Sequence, residues 1–400
     1  MDVGTSAVKA ASGEMVNGQD VSVLGIAQVP STGLRKGNII DIENTARAID
    51  YCLNDLERMT GIEITSALVG FSGTSVYALT NHAVVAVGSP NYEITQEDKE
   101  RVLKSAQNIA LPPDKTIVQT IARQYIVDGY DGVKDPVGMV GSRLEAEVVI
   151  IIAAAAGLQN LQRSANRANL QIERMVYNPL LASESIILPA EKEIGVALID
   201  IGGGTTDIAV FEGGCLLFTS VLPVGGDYIS KDLAVVLRTS VEEATRVKES
   251  YGVAAPDMLA DEADIEIQGI QGQDKKTVSL HMVADIINAR VIELVEMIKV
   301  EFEESGFADR IPAGIILTGG GAQLPGLLEI VEEYMNVPVR LGVAENLKTV
   351  AANINKPQNV VALGGLIHSA RDYKVEEYQQ NQSLENIFSR LSFWLKDLFR

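Results

Sequence analysis

This chain of 400 residues has little sulfur and little imidazole. Its two cysteines, Cys52 and Cys215, lie far apart and match no metal-ligand spacing. That excludes a disulfide framework and leaves two buried thiols in a reducing compartment as the expectation. The three histidines, His82, His281 and His368, form no ligand pattern, so no zinc site is expected. No signal peptide opens the chain, and no run reaches about 18 apolar residues, so nothing is expected to span a membrane. The apolar run VVIIIAAAAG, Val148 to Gly157, is too short for that and reads as a buried strand with a small-residue turn. Cations are also in short supply. Thirty-three Lys and Arg face 53 Asp and Glu, a net charge of −20, which repels nucleic-acid backbones and leaves no nucleic acid among the expected partners.

What is present is enough to fold. At 46% apolar and 22% charged the chain can bury a sizeable core, and its length suits two or three domains. Residues Ile40 to Gly61 carry Ile42, Ala46, Ile49, Leu53 and Leu56 on one helical face, and Ile64 to Gly73 read as a strand ending in a glycine turn. A module of its own runs from about Thr74 to Glu145, with a helix capped by Thr95 and Asp98. Ile194 to Gly226 read as three strands joined by tight turns. Two helices, a polar hairpin around 263–279, a long amphipathic helix and a final strand–glycine turn–helix unit follow.

Three glycine-rich stretches carry chemistry. In DIGGGTTD the apolar run before Asp200 places that carboxylate at a strand end. Gly202, Gly203 and Gly204 then let backbone N–H groups approach an anion, and Thr205 and Thr206 add hydroxyls. No GK[ST] follows, so this is not a P-loop. The carboxylate suits a hydrated Mg2+ ion. DVGTSAVK repeats the device 198 residues earlier, with Asp2, Gly4, Thr5 and Ser6, and adds Lys9 as a point charge on the return strand. A duplicated half-domain facing its copy across a cleft is the natural inference. The third stretch, IILTGGGAQLPGL, leads a buried strand into Gly319, Gly320 and Gly321 and then a helix, a backbone that a flat nucleoside could pack against.

Two Asp-Gly hairpins and a C-terminal GGG loop, in this order and spacing, resemble the actin-like ATPase superfamily. Asp135, Pro136, Gly138, Met139, Gly141, Arg143, Leu144 and Glu145, together with the stretch Leu222 to Gly252, are similar to the FtsA family of cell-division proteins within it. The resemblance covers essentially the whole chain. It implies an α/β fold of two actin-like lobes built on duplicated ribonuclease-H-like domains, with a small α+β domain inserted in the first lobe and a C-terminal amphipathic helix. By that pattern 1–73 and 146–190 form the first lobe core, 74–145 the insert, 191–226 and 306–370 the second lobe core, 227–305 its outer subdomain, 371–382 a linker and 383–400 the terminal helix.

The resemblance further implies ATP and Mg2+ as cofactors. Gly4, Thr5, Ser6 and Lys9 are expected to hold phosphates from one lobe and Gly202, Gly203, Gly204, Thr205 and Thr206 from the other. Gly319, Gly320, Gly321, Gln323 and Lys248 are expected to border the adenosine, and Asp2 and Asp200 to face Mg2+ through water. Three departures from the pattern stand out. Thr245 occupies a position where a Glu is expected. Glu184 is the one candidate in Tyr177 to Gly195 for a catalytic carboxylate, so slow hydrolysis is expected, with nucleotide state acting as a switch. The chain opens directly at Asp2, where an apolar strand precedes the hairpin in the resembling proteins, and a start assigned late is the expectation.

The last 18 residues, SLENIFSRLSFWLKDLFR, put Leu384, Ile387, Phe388, Leu391, Trp394, Leu395, Leu398 and Phe399 on one helical face behind a polar spacer. Arg390, Lys396 and Arg400 against Glu385 and Asp397 leave the segment at +1 in an acidic chain. It could dock on the body, fill a partner's groove or lie in a membrane interface; the resemblance implies the last. It also implies an adaptor that tethers FtsZ through its C-terminal tail, self-associates as an actin-like filament, meets an anionic membrane surface and recruits other division proteins. The implied place is the cytoplasmic face of the bacterial cell membrane, at the division site. The alternatives are a sugar or acetate kinase, which does not predict the tail, a chaperone-like ATPase, and a pilus-assembly relative.

Overall fold

The computed structural model describes residues 1–16, 20–259, 263–270, 275–344, 347–349 and 354–373. Two mixed sheets organise it, and they share one plan. In the first, the strand Asp2–Val3 pairs antiparallel with Ala7–Val16, which pairs antiparallel with Asp20–Pro30. On its other side Asp2–Val3 runs parallel to Ser66–Phe71, and that strand runs parallel to Gln171–Tyr177. In the second sheet Val196–Ile201, Thr206–Glu212 and Cys215–Leu222 form the antiparallel triplet, and Ile315–Thr318 and Val339–Leu341 the parallel flank. The internal repeat read from the two Asp-Gly motifs is therefore a repeat of whole sheets, and the two-lobed α/β architecture is as expected. One extra strand, Lys348–Thr349, closes the first sheet against Asp20–Pro30.

Local chemistry explains the boundaries. The helix Ile42–Thr60 starts where the Asp41 carboxylate accepts from Asn44 N–H and stops at Gly61, whose φ of 71° suits a residue without Cβ. Its buried face holds Ala46, Ile49, Leu53 and Leu56. The helix Gln96–Ala106 opens with the Thr95–Asp98 capping box, both halves formed.

A four-stranded sheet is inserted in the first lobe, ordered Tyr77–Ala86, Arg143–Ala154, Lys115–Val127, Tyr130–Val133. The strand Arg143–Ala154 runs its full length, past the boundary at 145 drawn from sequence. Its apolar run has a structural reason. Val148, Ile150 and Ile152 pack into the core of the insert, while Val149, Ile151 and Ala153 pack into the core of the first lobe. A strand buried on both faces needs apolar residues at every position. The second lobe has its own core, between its sheet and the helices Gly226–Val236, Val241–Tyr251 and Leu280–Ser305.

The central strand of the first sheet is present but two residues long. The Met1 ammonium is buried and donates to Leu68 O at 2.8 Å. Behind it lies a cavity of roughly 320 Å3 bordered by Ala11, Ser12, Gly13, Ser66, Ala67 and Leu68. Among the described residues no helix is long and apolar enough to cross a membrane. The segment 383–400, with Leu384 through Phe399, lies outside the described residues.

Candidate functional site

Each Asp-Gly hairpin turns in the same way. Gly4 N–H bonds Ala7 O at 3.0 Å, and Gly202 N–H bonds Thr205 O at 2.9 Å. The two hairpins meet across the line between the lobes. Ser6 Oγ donates to Asp227 Oδ1 at 3.1 Å. A Cβ on Gly203 would fall on the Ser6 hydroxyl, and one on Gly204 would lie 2.8 Å from Thr5. The opposite lobe thus leaves no room for side chains at these two glycines, and bare backbone lines the junction.

Carboxylates converge here. Asp2 is buried, with Lys9 Nζ 3.5 Å from Oδ2 and Asn178 Nδ2 donating to Oδ1 at 3.3 Å. Burial, then the nearby Asp2 charge, push Asp200 up to about 6, against the opposing pull of Lys9. Burial and Asp200 push Asp207 up to about 8. Asp207 accepts a short bond from Ser72 Oγ and lies 3.5 Å from Tyr177 OH, both in the first lobe, so it ties the lobes together. Among the described residues no cluster of three His, Cys, Asp or Glu is set to hold a metal directly. Two carboxylates that crowd each other still suit a hydrated divalent ion held through water.

The third loop differs from expectation in one respect. Gly319, at φ 84°, passes so close to Asp200 that a Cβ would fall on its carboxylate, and one on Gly321 would fall on Ile201. No α-helix opens on these glycines. Gly321–Gln323 form a single 3-10 turn, and the helix starts at Leu327, because Pro325 and Gly326 (φ 85°) intervene. The helix N-terminus at the site is instead that of Gly226–Val236. Its Gly226 and Asp227 N–H groups bond Gly202 O and Gly203 O, each at 2.9 Å. Lys248 Nζ donates to Gly226 O at 3.1 Å, and burial lowers its pKa. Gln323 Nε2 donates to Gln358 at 2.6 Å on the exposed side of the loop.

The structure brings Asp2, Gly4, Thr5, Ser6 and Lys9 together with Asp200, Gly202, Gly203, Gly204, Thr205, Gly319 and Gly321, and sets Lys248 against Gly226, whose N–H bonds Gly202 O of the second hairpin. Two candidates stand apart. Thr206 is fully buried and its hydroxyl bonds Val224 O at 2.9 Å. Glu184 is gripped by Arg371 at 2.8 and 2.9 Å, towards the far end of the helix Asn178–Ile186. The residue of that helix that reaches Asp2 is Asn178, whose Oδ1 is buried with no hydrogen-bond partner among the described residues. Sequence reasoning passed over Asn178, Asp207 and the Lys36–Gly37 turn. Asp207 closes the DIGGGTTD motif itself, and its place opposite Asp200 follows from counting a two-stranded register.

Comparison with known proteins bears on the family and the fold. The model for cell division protein FtsA matches residues 197–364, and the model for the SHS2 domain inserted in FtsA matches 73–152. The cell division protein FtsA of Pseudomonas aeruginosa is 33% identical over 407 residues, covering 100% of this chain and 97% of that protein. The chain belongs to the FtsA family of cell-division proteins. FtsA of Bacillus subtilis is 38% identical over 94% of the chain and 84% of its own length. Two solved structures share the fold of this FtsA-family chain. A PilM–PilN type IV pilus biogenesis complex has a TM-score of 0.67 at 17% identity, over 92% of this chain and 97% of that one. MreB5 of Spiroplasma citri bound to ADP has a TM-score of 0.51 at 14% identity, over 95% and 91%. The fold is that of the actin-like ATPases.

Proposed function

We propose that this FtsA-family chain is a nucleotide-dependent membrane adaptor that binds ATP and Mg2+ between its two glycine hairpins. The observation that carries the nucleotide reading is the meeting of two equivalent hairpins from opposite lobes, with side chains shut out at Gly203 and Gly204. Those residues fit a polyphosphate. Gly4, Thr5, Ser6 and Lys9 would hold it from one side and Gly202, Gly203, Gly204 and Thr205 from the other, with the Gly226–Val236 helix dipole behind them. Thr206 would contribute its backbone only. Asp2 and Asp200 would hold Mg2+ through water, and its charge relieves their mutual repulsion. Gly319, Gly320, Gly321, Gln323 and Lys248 would border the adenosine. MreB5 of Spiroplasma citri, of the same fold, is described bound to ADP and to AMPPNP, which supports the reading.

Glu184 is unsuited to a catalytic role while Arg371 holds it. Asn178 stands beside Asp2 and cannot take a proton, which favours slow hydrolysis and a switch-like use of nucleotide. The amphipathic segment 383–400 would lie in the membrane interface, and self-association into an actin-like filament would multiply its avidity. The outer subdomain, 227–305, would receive the FtsZ tail; it exposes Val235, Val236, Ile270 and Met282. Recruitment of further division proteins and a place at the inner face of the cytoplasmic membrane at the division site complete the proposal. Vesicle flotation with anionic liposomes and ATP-Mg2+ tests it. The full chain is expected to float and a form ending at Gln382 to stay at the bottom; if the two behave alike, the tail is no anchor.

A further inference from the structure

The turn Lys36–Gly37 lies across both hairpins at once. Its shape is fixed by two residues in the left-handed region, Lys36 at φ 51° and Gly37 at φ 73°. Gly37 N–H donates to Thr5 Oγ1 of the first hairpin at 3.0 Å. Lys36 N stands 3.1 Å from where a Cβ on Gly204 of the second hairpin would be. Asn38 Nδ2 bonds Lys36 O at 3.1 Å and pins the turn from behind. The backbone is held, and the half-buried side chain is the free part.

That side chain makes no ion pair among the described residues, although the chain carries 53 acidic groups. Its ammonium lies 5.6 Å from the centroid of the Tyr228 ring, in the other lobe. The same ring carries Lys231 at 4.8 Å and Arg290 at 5.8 Å. Arg290 has Asp232 and Glu293 as partners. Cations of both lobes thus gather around one aromatic ring beside the junction. Each gains from the ring and loses from its neighbours. The arrangement is a poor resting place for Lys36 and a good starting point for an anion.

We propose that Lys36 reads the terminal phosphate of a bound nucleoside triphosphate, leaving the face of Tyr228 to reach it. Moving it removes a contact between the lobes, so lobe geometry follows the phosphate count. This rests on the nucleotide reading above. The position is suited because the turn touches Thr5 and backs onto Gly204, where phosphates from either lobe would be gripped.

The test is equilibrium binding of fluorescent ATP and ADP analogues, with Mg2+, to the full chain. Lys36→Gln is expected to weaken ATP about tenfold or more and ADP by no more than about twofold, the loss of one charge-assisted bond. Lys36→Arg is expected to keep most of the ATP preference. Arg35→Gln removes the same charge one residue away and is expected to leave the ratio unchanged. Tyr228→Leu is expected to leave ATP binding intact or stronger, since Lys36 then abandons nothing. Equal loss of ATP and ADP in Lys36→Gln, no change in either, or a Tyr228→Leu defect as large as that of Lys36→Gln overturns the proposal alone. A wild-type chain that binds neither analogue overturns the nucleotide reading and this proposal together.

Discussion

The two hairpins are one device in two settings, and the difference lies in what faces the aspartate. Across the first hairpin Asp2 pairs in register with Lys9; across the second, at the equivalent position, Asp200 pairs with Asp207. The first carboxylate has a cation on its neighbouring strand. The second has a carboxyl that burial keeps protonated near neutral pH and that bonds the other lobe through Ser72 and Tyr177. Repetition of the fold preserved the turn and the strand order. The partner position was free to diverge, one copy neutralising charge and the other joining lobes. The supports differ too. Asp200 lies in a six-residue strand paired on both sides, whereas Asp2 opens a two-residue strand with a buried ammonium and a cavity behind it.

The largest change is expected where the two supports differ most. Three apolar residues engineered ahead of Met1 would continue the register opposite Ala11, Ser12 and Gly13. They would fill the cavity and remove the buried charge. At about 1.5–3 kcal/mol per buried side chain, the gain is about 3 kcal/mol or more, read as a rise in denaturation midpoint. A pH series sharpens it. Burial lowers the Met1 amine below its ordinary 8.0, so the unfolded chain binds more protons there. In the chain that begins at Met1 this group adds stability as pH rises towards 8, and the extended chain should lack that rise. No difference between the two chains across pH 6–8 would remove the buried amine from the account.

Asp207→Asn should come next. A carboxyl raised from 3.8 to about 8 stabilises fully below pH 4, and that contribution is lost as pH climbs to 8. Asparagine keeps the acceptor for Ser72 without that cost. At pH 7.5 and above the variant is expected to be about 1–3 kcal/mol more stable, with a flatter pH profile. A destabilised variant with unchanged pH slope would show that Asp207 is ionised and gripped.

The smallest effect is expected away from the hairpins. Arg371→Ala breaks a half-exposed pair with Glu184 and should cost about 0.5 kcal/mol. Glu184→Gln should leave any ATP hydrolysis within about twofold, because a carboxylate held by Arg371 does not reach a water at Asp2. A loss of tenfold or more would return Glu184 to the catalytic role that its sequence position suggested.

The fold was readable because its signals are local and repeated. Period-3.6 apolar faces, the Thr95–Asp98 cap and glycine turns mark element after element, and two Asp-Gly motifs announce two sheets. What sequence hid depends on register and side-chain direction. Pro325 and Gly326 move a helix start away from the glycines that seemed to open it. Thr206 has the right chemistry but points its hydroxyl at Val224 O. Glu184 and Asn178 share one helix, and only the three-dimensional path shows which end faces Asp2. Lys36 sits in an unremarked turn and matters because two distant hairpins close around it.

The central claim is that both hairpins grip one nucleotide. Titration calorimetry of ATP-Mg2+ into the full chain, Gly4→Val and Gly203→Val tests it most directly. One ATP per wild-type chain, and loss of binding when either hairpin is blocked, is the result the account predicts. Unchanged binding when one hairpin is blocked and the chain still folds would contradict it.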